Sequence, residues 1–377
     1  MHWSLSFRDA YRQMLRRLTH SITPVLVLSG TLSDVMQRHW RAVLTANRAD
    51  GGVRVVDADD TASASRLSLT WRRRTGDEAR DFKPILECAR RASDLASKQL
   101  VIVMCATFDV MQRFVRHVTD SRNEIDERLA STWWERASPA TAAAPPKCRR
   151  MVGYHALYPE RVRLETQRAL VAGHVALLVA TTGIAHGVTL ETSGDVHNAV
   201  FALGGVSNIA VLRQLASRVG RLSGTGRASF CIITSRADYG SARSANTVAL
   251  KAINDDNKRL KTEKTARREL LDDLIVQTDV LAAFARRVNA AARREPQREA
   301  FKAVCLRRLF TLPSARPRDT TVEEHVKRHL AATFVACACA NDHRSACVVS
   351  LQIKATAQGV SLVGSQAAAG ADALGNL

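Results

Sequence analysis

Leu100-Val101-Ile102-Val103-Met104-Cys105 is an unbroken apolar run set between two helical patterns, one over about 84–98 and one over about 108–130. A run of this kind is how a strand buried on both faces of a sheet reads. The alternation continues downstream. A strand pattern at Arg150–Tyr154 precedes a helical one around 159–172, and a second apolar run follows at 175–180. Asn198–Leu203 and residues 229–234 supply two more, with a helix near 208–218 between them. Strands alternating with helices predict an α/β fold, a parallel sheet with right-handed crossovers.

Working outward, Phe7, Tyr11, Met14, Leu15 and Leu18 recur at three- and four-residue steps and predict an amphipathic helix over 1–20. Residues 24–28 form another apolar run, ending in Ser29-Gly30-Thr31. Residues 45–82 are polar, with strand candidates at 53–56 and 66–71. The stretch 138–146, rich in Ala and Pro, reads as a low-complexity surface insertion. Past Ser235 no further strand is predicted: residues 240–312 read as helices, and the last thirty residues as a weakly ordered tail.

The 377 residues carry 55 Lys+Arg against 36 Asp+Glu, a formal net charge of +19 spread along the chain. With 46% hydrophobic residues, whole-chain disorder and collagen-like repetition are excluded. The charge makes a polyanion the leading partner class, nucleic acid before an anionic membrane. No apolar run reaches the roughly 18–20 residues of a membrane helix. The start, Met1-His2-Trp3-Ser4, lacks the pattern of a secretory signal, so reduced thiols are expected at Cys88, Cys105, Cys148 and Cys231.

The segment from Tyr154-His155-Ala156 to Thr189 holds Arg163, Gln167, Val179-Ala180-Thr181 and Gly187-Val188-Thr189. Gln214-Leu215-Ala216-Ser217-Arg218-Val219-Gly220-Arg221 follows before the 229–234 run. In order and spacing these resemble the second RecA-like lobe of a superfamily 2 helicase, with RecQ-like proteins as nearest relatives. Trp3, Phe7-Arg8 and Tyr11 look like the aromatic stretch that follows the Asp-Glu-x-His motif in that family. Neither a Gly-x-x-x-x-Gly-Lys-Ser/Thr loop nor an Asp-Glu-x-His motif occurs in the chain. Three positions depart from the family pattern: Gly30 stands for Ala, Thr189 for Asp or Asn, and Ser217 for Gly.

The resemblance implies a RecA-like parallel sheet flanked by helices, followed by a mainly helical appendix. It divides the chain into the trailing edge of a first lobe (1–45), a connector (46–83) and the second lobe (84–235, with an insertion at 132–149). The helical appendix (236–350) and the tail (351–377) follow. It also implies ATP and Mg²⁺ shared with a first lobe that these residues do not contain. Arg221 and Arg218 would reach the γ-phosphate as arginine fingers, because guanidinium donates two parallel hydrogen bonds to phosphate oxygens. Gln214, Gly187 and Thr189 would face the nucleotide. Thr181, Thr182, His155, Trp3 and Arg8 would contact DNA, single-stranded or at a duplex junction. For Trp3 and Phe7 the residue-level alternative is packing of an amphipathic helix, and for His155 a packed strand end.

A cysteine cluster follows: Cys305, Cys337, Cys339 and Cys347. RecQ-like proteins place a four-Cys zinc module after the second lobe, so Zn²⁺ is one reading. Buried or free thiols are the other, since no Cys-x-x-Cys pair is present. Two functions follow. One is the second motor lobe of an ATP-dependent 3′–5′ DNA helicase, a fragment or the downstream part of a longer gene product, not ATPase-competent alone. Such a lobe would work with a first lobe in trans or in that longer product, away from membranes and in the nucleus. The other is a basic nucleic-acid-binding module, derived from a helicase, that does not turn over nucleotide.

Overall fold

Strands Leu67–Arg73 (β1), Leu100–Cys105 (β2), Arg150–Tyr154 (β3), Val175–Thr181 (β4), Asn198–Leu203 (β5) and Ala228–Thr234 (β6) run parallel in one sheet. Their order is β3-β4-β2-β5-β6-β1. The helices are Asp34–Thr45 (α1), Glu78–Ala92 (α2), Phe108–Asp120 (α3), Glu160–Val171 (α4), Ile209–Gly220 (α5), Arg236–Asp255 (α6), Lys261–Arg294 (α7) and Val322–Phe334 (α8). The structure, a computed structural model, describes residue 17 and residues 33–45, 67–120 (except 95 and 98), 150–181 (except 156) and 198–220. It also describes 228–255, 261–294, 316–334 (except 318), 350–356 and 359–365. The predicted elements at 1–20, 24–28 and 53–56 and the insertion at 138–146 fall outside the described residues, apart from a helical Arg17.

Alternate residues of a strand point to opposite faces, and both faces of this sheet are covered. Ile102, Leu178, Val200 and Phe230 face a cluster completed by Leu212 and Leu215 of α5, Val280 and Phe284 of α7 and Leu330 of α8. Val101, Val103, Leu177 and Phe201 face Ile85 and Ala89 of α2 and Met111 and Phe114 of α3. Every residue of β2 is buried. Each such aliphatic side chain contributes about 1.5–3 kcal/mol of burial. Two-sided burial is why these strands carry no polar alternation. The parallel α/β architecture expected from the apolar runs is therefore what the chain adopts, with helices on both faces of the sheet as the resemblance implies.

The structure departs from the expected elements at two places. Helix α2 starts at Glu78, six residues before Pro84. The Asp77 carboxylate accepts from Arg80 N, and Asp81 accepts from Thr75 N and Gly76 N, which together fix the first turn. Strands also do not stop at Ser235. Ser350–Thr356 (β7) and Gly359–Ser365 (β8) form an antiparallel pair, and β8 runs antiparallel to β1 with Trp71 opposite Val360. They cover the β1 side of the sheet, which would otherwise expose an open edge. Helices α6 and α7 fulfil the helical expectation over 240–255 and 261–294; residues 256–260 and 295–312 lie outside the described set.

Candidate nucleic-acid interface

All six parallel strands end on the same edge of the sheet, where loops collect and ligands bind in open α/β folds. At the end of β2, Thr107 Oγ1 accepts from Val110 N at 3.3 Å and Thr107 O from Met111 N at 3.1 Å, which opens α3. Phe108 is the first residue of that helix, and 37% of it is exposed. At the end of β3 the chain turns at His155, whose carbonyl accepts from Tyr158 N and whose Nδ1 accepts from Leu157 N at 3.0 Å.

Those two turns meet. The Phe108 and His155 rings lie 4.3 Å apart between centroids at 37°, and Tyr158 meets the imidazole edge-on at 6.0 Å. Thr181, half-buried at the end of β4, is in register with Cys105, while Tyr154 is in register with Ala180. His155 and Thr181 are thus the next positions along two paired strands. Gln167 Nε2 of α4 donates to Tyr154 Oη at 3.2 Å and ties that helix to the same edge.

Burial lowers the His155 pKa below its usual 6.5. The ring is therefore neutral at pH 7. With Nδ1 accepting, its proton resides on Nε2. His155 serves here as a platform under Phe108, and carries one hydrogen-bond donor, rather than a positive charge. An exposed aromatic face, the hydroxyls of Thr107 and Thr181 and the N-terminus of α3 are the groups with which proteins hold bases and phosphates.

Further along the edge, β5 turns through Gly204 and Gly205 at φ +86° and +90°. A Cβ on Gly205 would stand 2.8 Å from Thr234 Oγ1, so position 205 requires glycine on both counts. Asn208 Oδ1 then accepts from Val211 N at 2.8 Å and caps α5, the helix that carries Gln214 and Arg218. Gln277 of α7 accepts from Ala210 N and donates to the buried Asp273 at 2.9 Å. Burial pushes the Asp273 carboxyl up to about 6, against hydrogen bonds from Ser33 and Gln277 that lower it.

Of the residues singled out in the sequence, His155 and Thr181 come together on adjacent strands, and Gln214 is half-buried on α5. Arg218 lies in α5 by its backbone, with its side chain outside the description. Trp3, Arg8, Thr182, Gly187, Thr189, Arg221, Cys305, Cys337, Cys339 and Cys347 lie outside the described residues. Among the described residues no cluster of three or more His, Cys, Asp or Glu is placed to hold a metal. Cys88, Cys105 and Cys231 are free, and burial pushes the Cys105 and Cys231 thiols up to about 12. No described helix is long and apolar enough to cross a membrane. Phe108 escaped the sequence reading, although an aromatic directly after a strand end and a capping Thr is a usable signal.

No protein-family model matches the chain, and no curated protein matches it in sequence. Solved structures to which it is similar include S. cerevisiae Dbp5 bound to RNA and ADP BeF3, at TM-score 0.44 and 12% identity, over 72% of this chain and 61% of that one. Mss116p DEAD-box helicase domain 2 bound to an RNA duplex follows at TM-score 0.32 and 12% identity, over 58% and 77%. Mycobacterium smegmatis helicase Lhr bound to ssDNA and AMP-PNP is similar at TM-score 0.33 and 13% identity, over 58% and 25%. The chain thus spans less than two thirds of the Dbp5 and Lhr chains.

Proposed function

We propose that this chain is the second lobe of a RecQ-like DNA helicase, and that the edge formed by β2, β3 and β4 holds a strand of DNA. The observation that carries this reading is the half-exposed Phe108 ring seated on His155 beside Thr181. Two of the residues that resemble helicase motifs thereby sit with a stacking surface at one sheet edge. In this reading a base stacks on Phe108, the hydroxyls of Thr107 and Thr181 donate to backbone phosphate, and His155 Nε2 offers a further donor.

The chain's own residues do not complete a nucleotide site, because neither the phosphate-cradling loop nor the Asp-Glu-x-His motif occurs in the sequence. ATP hydrolysis, which supplies the motor's energy, therefore belongs to an assembly with a first lobe. Arg218 and Arg221 are proposed to face the phosphates of that nucleotide. Thr189 in place of Asp or Asn favours the second reading, a binding module that has lost nucleotide coupling.

Fluorescence anisotropy with a labelled single-stranded oligonucleotide of about 20 nucleotides tests DNA binding. Base–aromatic stacking is worth about 1–3 kcal/mol. F108A should therefore weaken binding about 5- to 150-fold, with a urea midpoint confirming that the variant is folded. Equal affinities for the wild type and F108A would refute the assignment.

A further inference from the structure

A cleft of about 1090 Å³ opens at the carboxyl ends of β1 and β6, walled by α6, α7 and α8. Two of its arginines are committed: Arg74 pairs with Asp238 at 3.0 Å, and Arg243 with Asp279 at 3.0 Å. Arg73 and Arg236 are exposed and make no ion pair with any described residue. Arg73 follows Trp71 by two residues and so projects from the same face of β1, the face that packs on Phe284 of α7. Arg236 opens α6, whose first turn is fixed by reciprocal hydrogen bonds between Ser235 and Asp238.

The floor carries a second, independent sign of a ligand. Tyr239 lines the cleft with only 5% of its surface exposed, and its hydroxyl makes no hydrogen bond of good geometry, although the Thr234 hydroxyl is close. A buried hydroxyl without a partner costs free energy unless something supplies one. The N-terminus of a twenty-residue helix, two uncommitted guanidinium forks and an unsatisfied hydroxyl converge here. Phosphate oxygens are acceptors that suit all three.

We propose that this cleft is a second phosphate-binding site, which takes the backbone of a DNA strand already seated on the edge of β2, β3 and β4. The inference rests on the reading under Proposed function. In a parallel sheet both surfaces lie on one edge. From β4 to β1 there are four strand spacings, about 19 Å at about 4.8 Å each. About six stacked nucleotides at about 3.4 Å cover that distance. The turn between the two surfaces is the Gly204–Gly205 pair, so its first two positions raise no side chain across the path.

The test is the salt dependence of anisotropy-measured affinity for a 20-nucleotide single strand. Four proteins are compared: wild type, F108A, the cleft variant R73Q/R236Q, and a control, R90Q/R91Q. The control removes the same charge from the last turn of α2, at the opposite edge of the sheet. Each phosphate contact on a single strand contributes about 0.7 to the slope of log K against log salt. R73Q/R236Q should reduce that slope by about 1.4 and weaken binding at low salt, whereas F108A and the control should keep the wild-type slope. Urea midpoints verify that all four proteins are folded. Normal wild-type binding with an unchanged slope in R73Q/R236Q overturns the cleft and leaves the interface standing. An equal loss of slope in the control also overturns it, in favour of a diffuse field. Tripolyphosphate binding that R73Q/R236Q abolishes, with the DNA slope unchanged, overturns it in favour of a small phosphorylated ligand. A wild-type chain that does not bind DNA at all refutes the underlying reading itself.

Discussion

Replacing Asp273 by Asn should change stability in a way that depends on pH with a definite sign. Asp273 is 6% exposed, accepts from Gln277 Nε2 and Ser33, and titrates at about 6. An unfolded carboxyl titrates at about 3.9. The folded state therefore binds this proton more tightly than the unfolded state does. Its contribution falls as pH rises from about 4 through 6, the reverse of a carboxylate held down by a salt bridge. Integrating between those values gives a cost of about 1.5 kcal/mol at pH 5 and about 3 kcal/mol at pH 7.5. Asn keeps the shape and one acceptor oxygen and never ionises. D273N should thus gain about 1.4 kcal/mol on the wild type between pH 5 and pH 7.5. Urea denaturation at the two pH values measures the gap, and histidines common to both proteins cancel in the difference. A gap that is constant across this range, or that moves the other way, refutes the account of Asp273 as a buried carboxyl straining against ionisation. The result matters for the interface because Gln277 links Asp273 to the first turn of α5.

Two further substitutions probe the scaffold. G205A places a Cβ 2.8 Å from Thr234 Oγ1 at φ +90°. It should lower stability by at least about 1–2 kcal/mol, read as a lower urea midpoint; an unchanged midpoint contradicts the described turn. W71A empties a 1% exposed position whose ring sits 5.2 Å from Phe284, and should cost about 3–5 kcal/mol by thermal melting. W71F should cost less, because the indole Nε1 has no hydrogen-bond partner among the described residues. Equal losses in the two variants would show that the Trp71 ring contact contributes little.

The strands that were legible in the sequence share one physical property. β2, β4, β5 and β6 are covered on both faces, so their apolar runs are continuous and their ends agree with the predicted ones to within a residue. β7 and β8 are different. Ser350-Leu-Gln-Ile-Lys-Ala-Thr alternates polar and apolar residues, as an outer antiparallel strand does, and such short alternation competes poorly with an expectation of coil. β1 was visible only as a candidate, because Leu67-Ser-Leu-Thr-Trp-Arg-Arg mixes hydroxyls and arginines into the run.

The candidate interface was half legible. His155 and Thr181 stand in recognisable local motifs, and register brings them side by side. Phe108 belongs to neither motif and reaches His155 only because β2 and β3 both flank β4. The arginine cleft could not be read from sequence at all. Arg73 and Arg236 are contributed by β1 and α6, about 160 residues apart in the chain, and no spacing rule connects them.

Photocrosslinking tests the central claim most directly. A single-stranded oligonucleotide with a photoreactive base is irradiated on the full chain, and the adducts are mapped by mass spectrometry. The account predicts adducts at Phe108 and Tyr158, the accessible rings of the edge formed by β2, β3 and β4. Adducts found only outside residues 105–108 and 154–181 would contradict it.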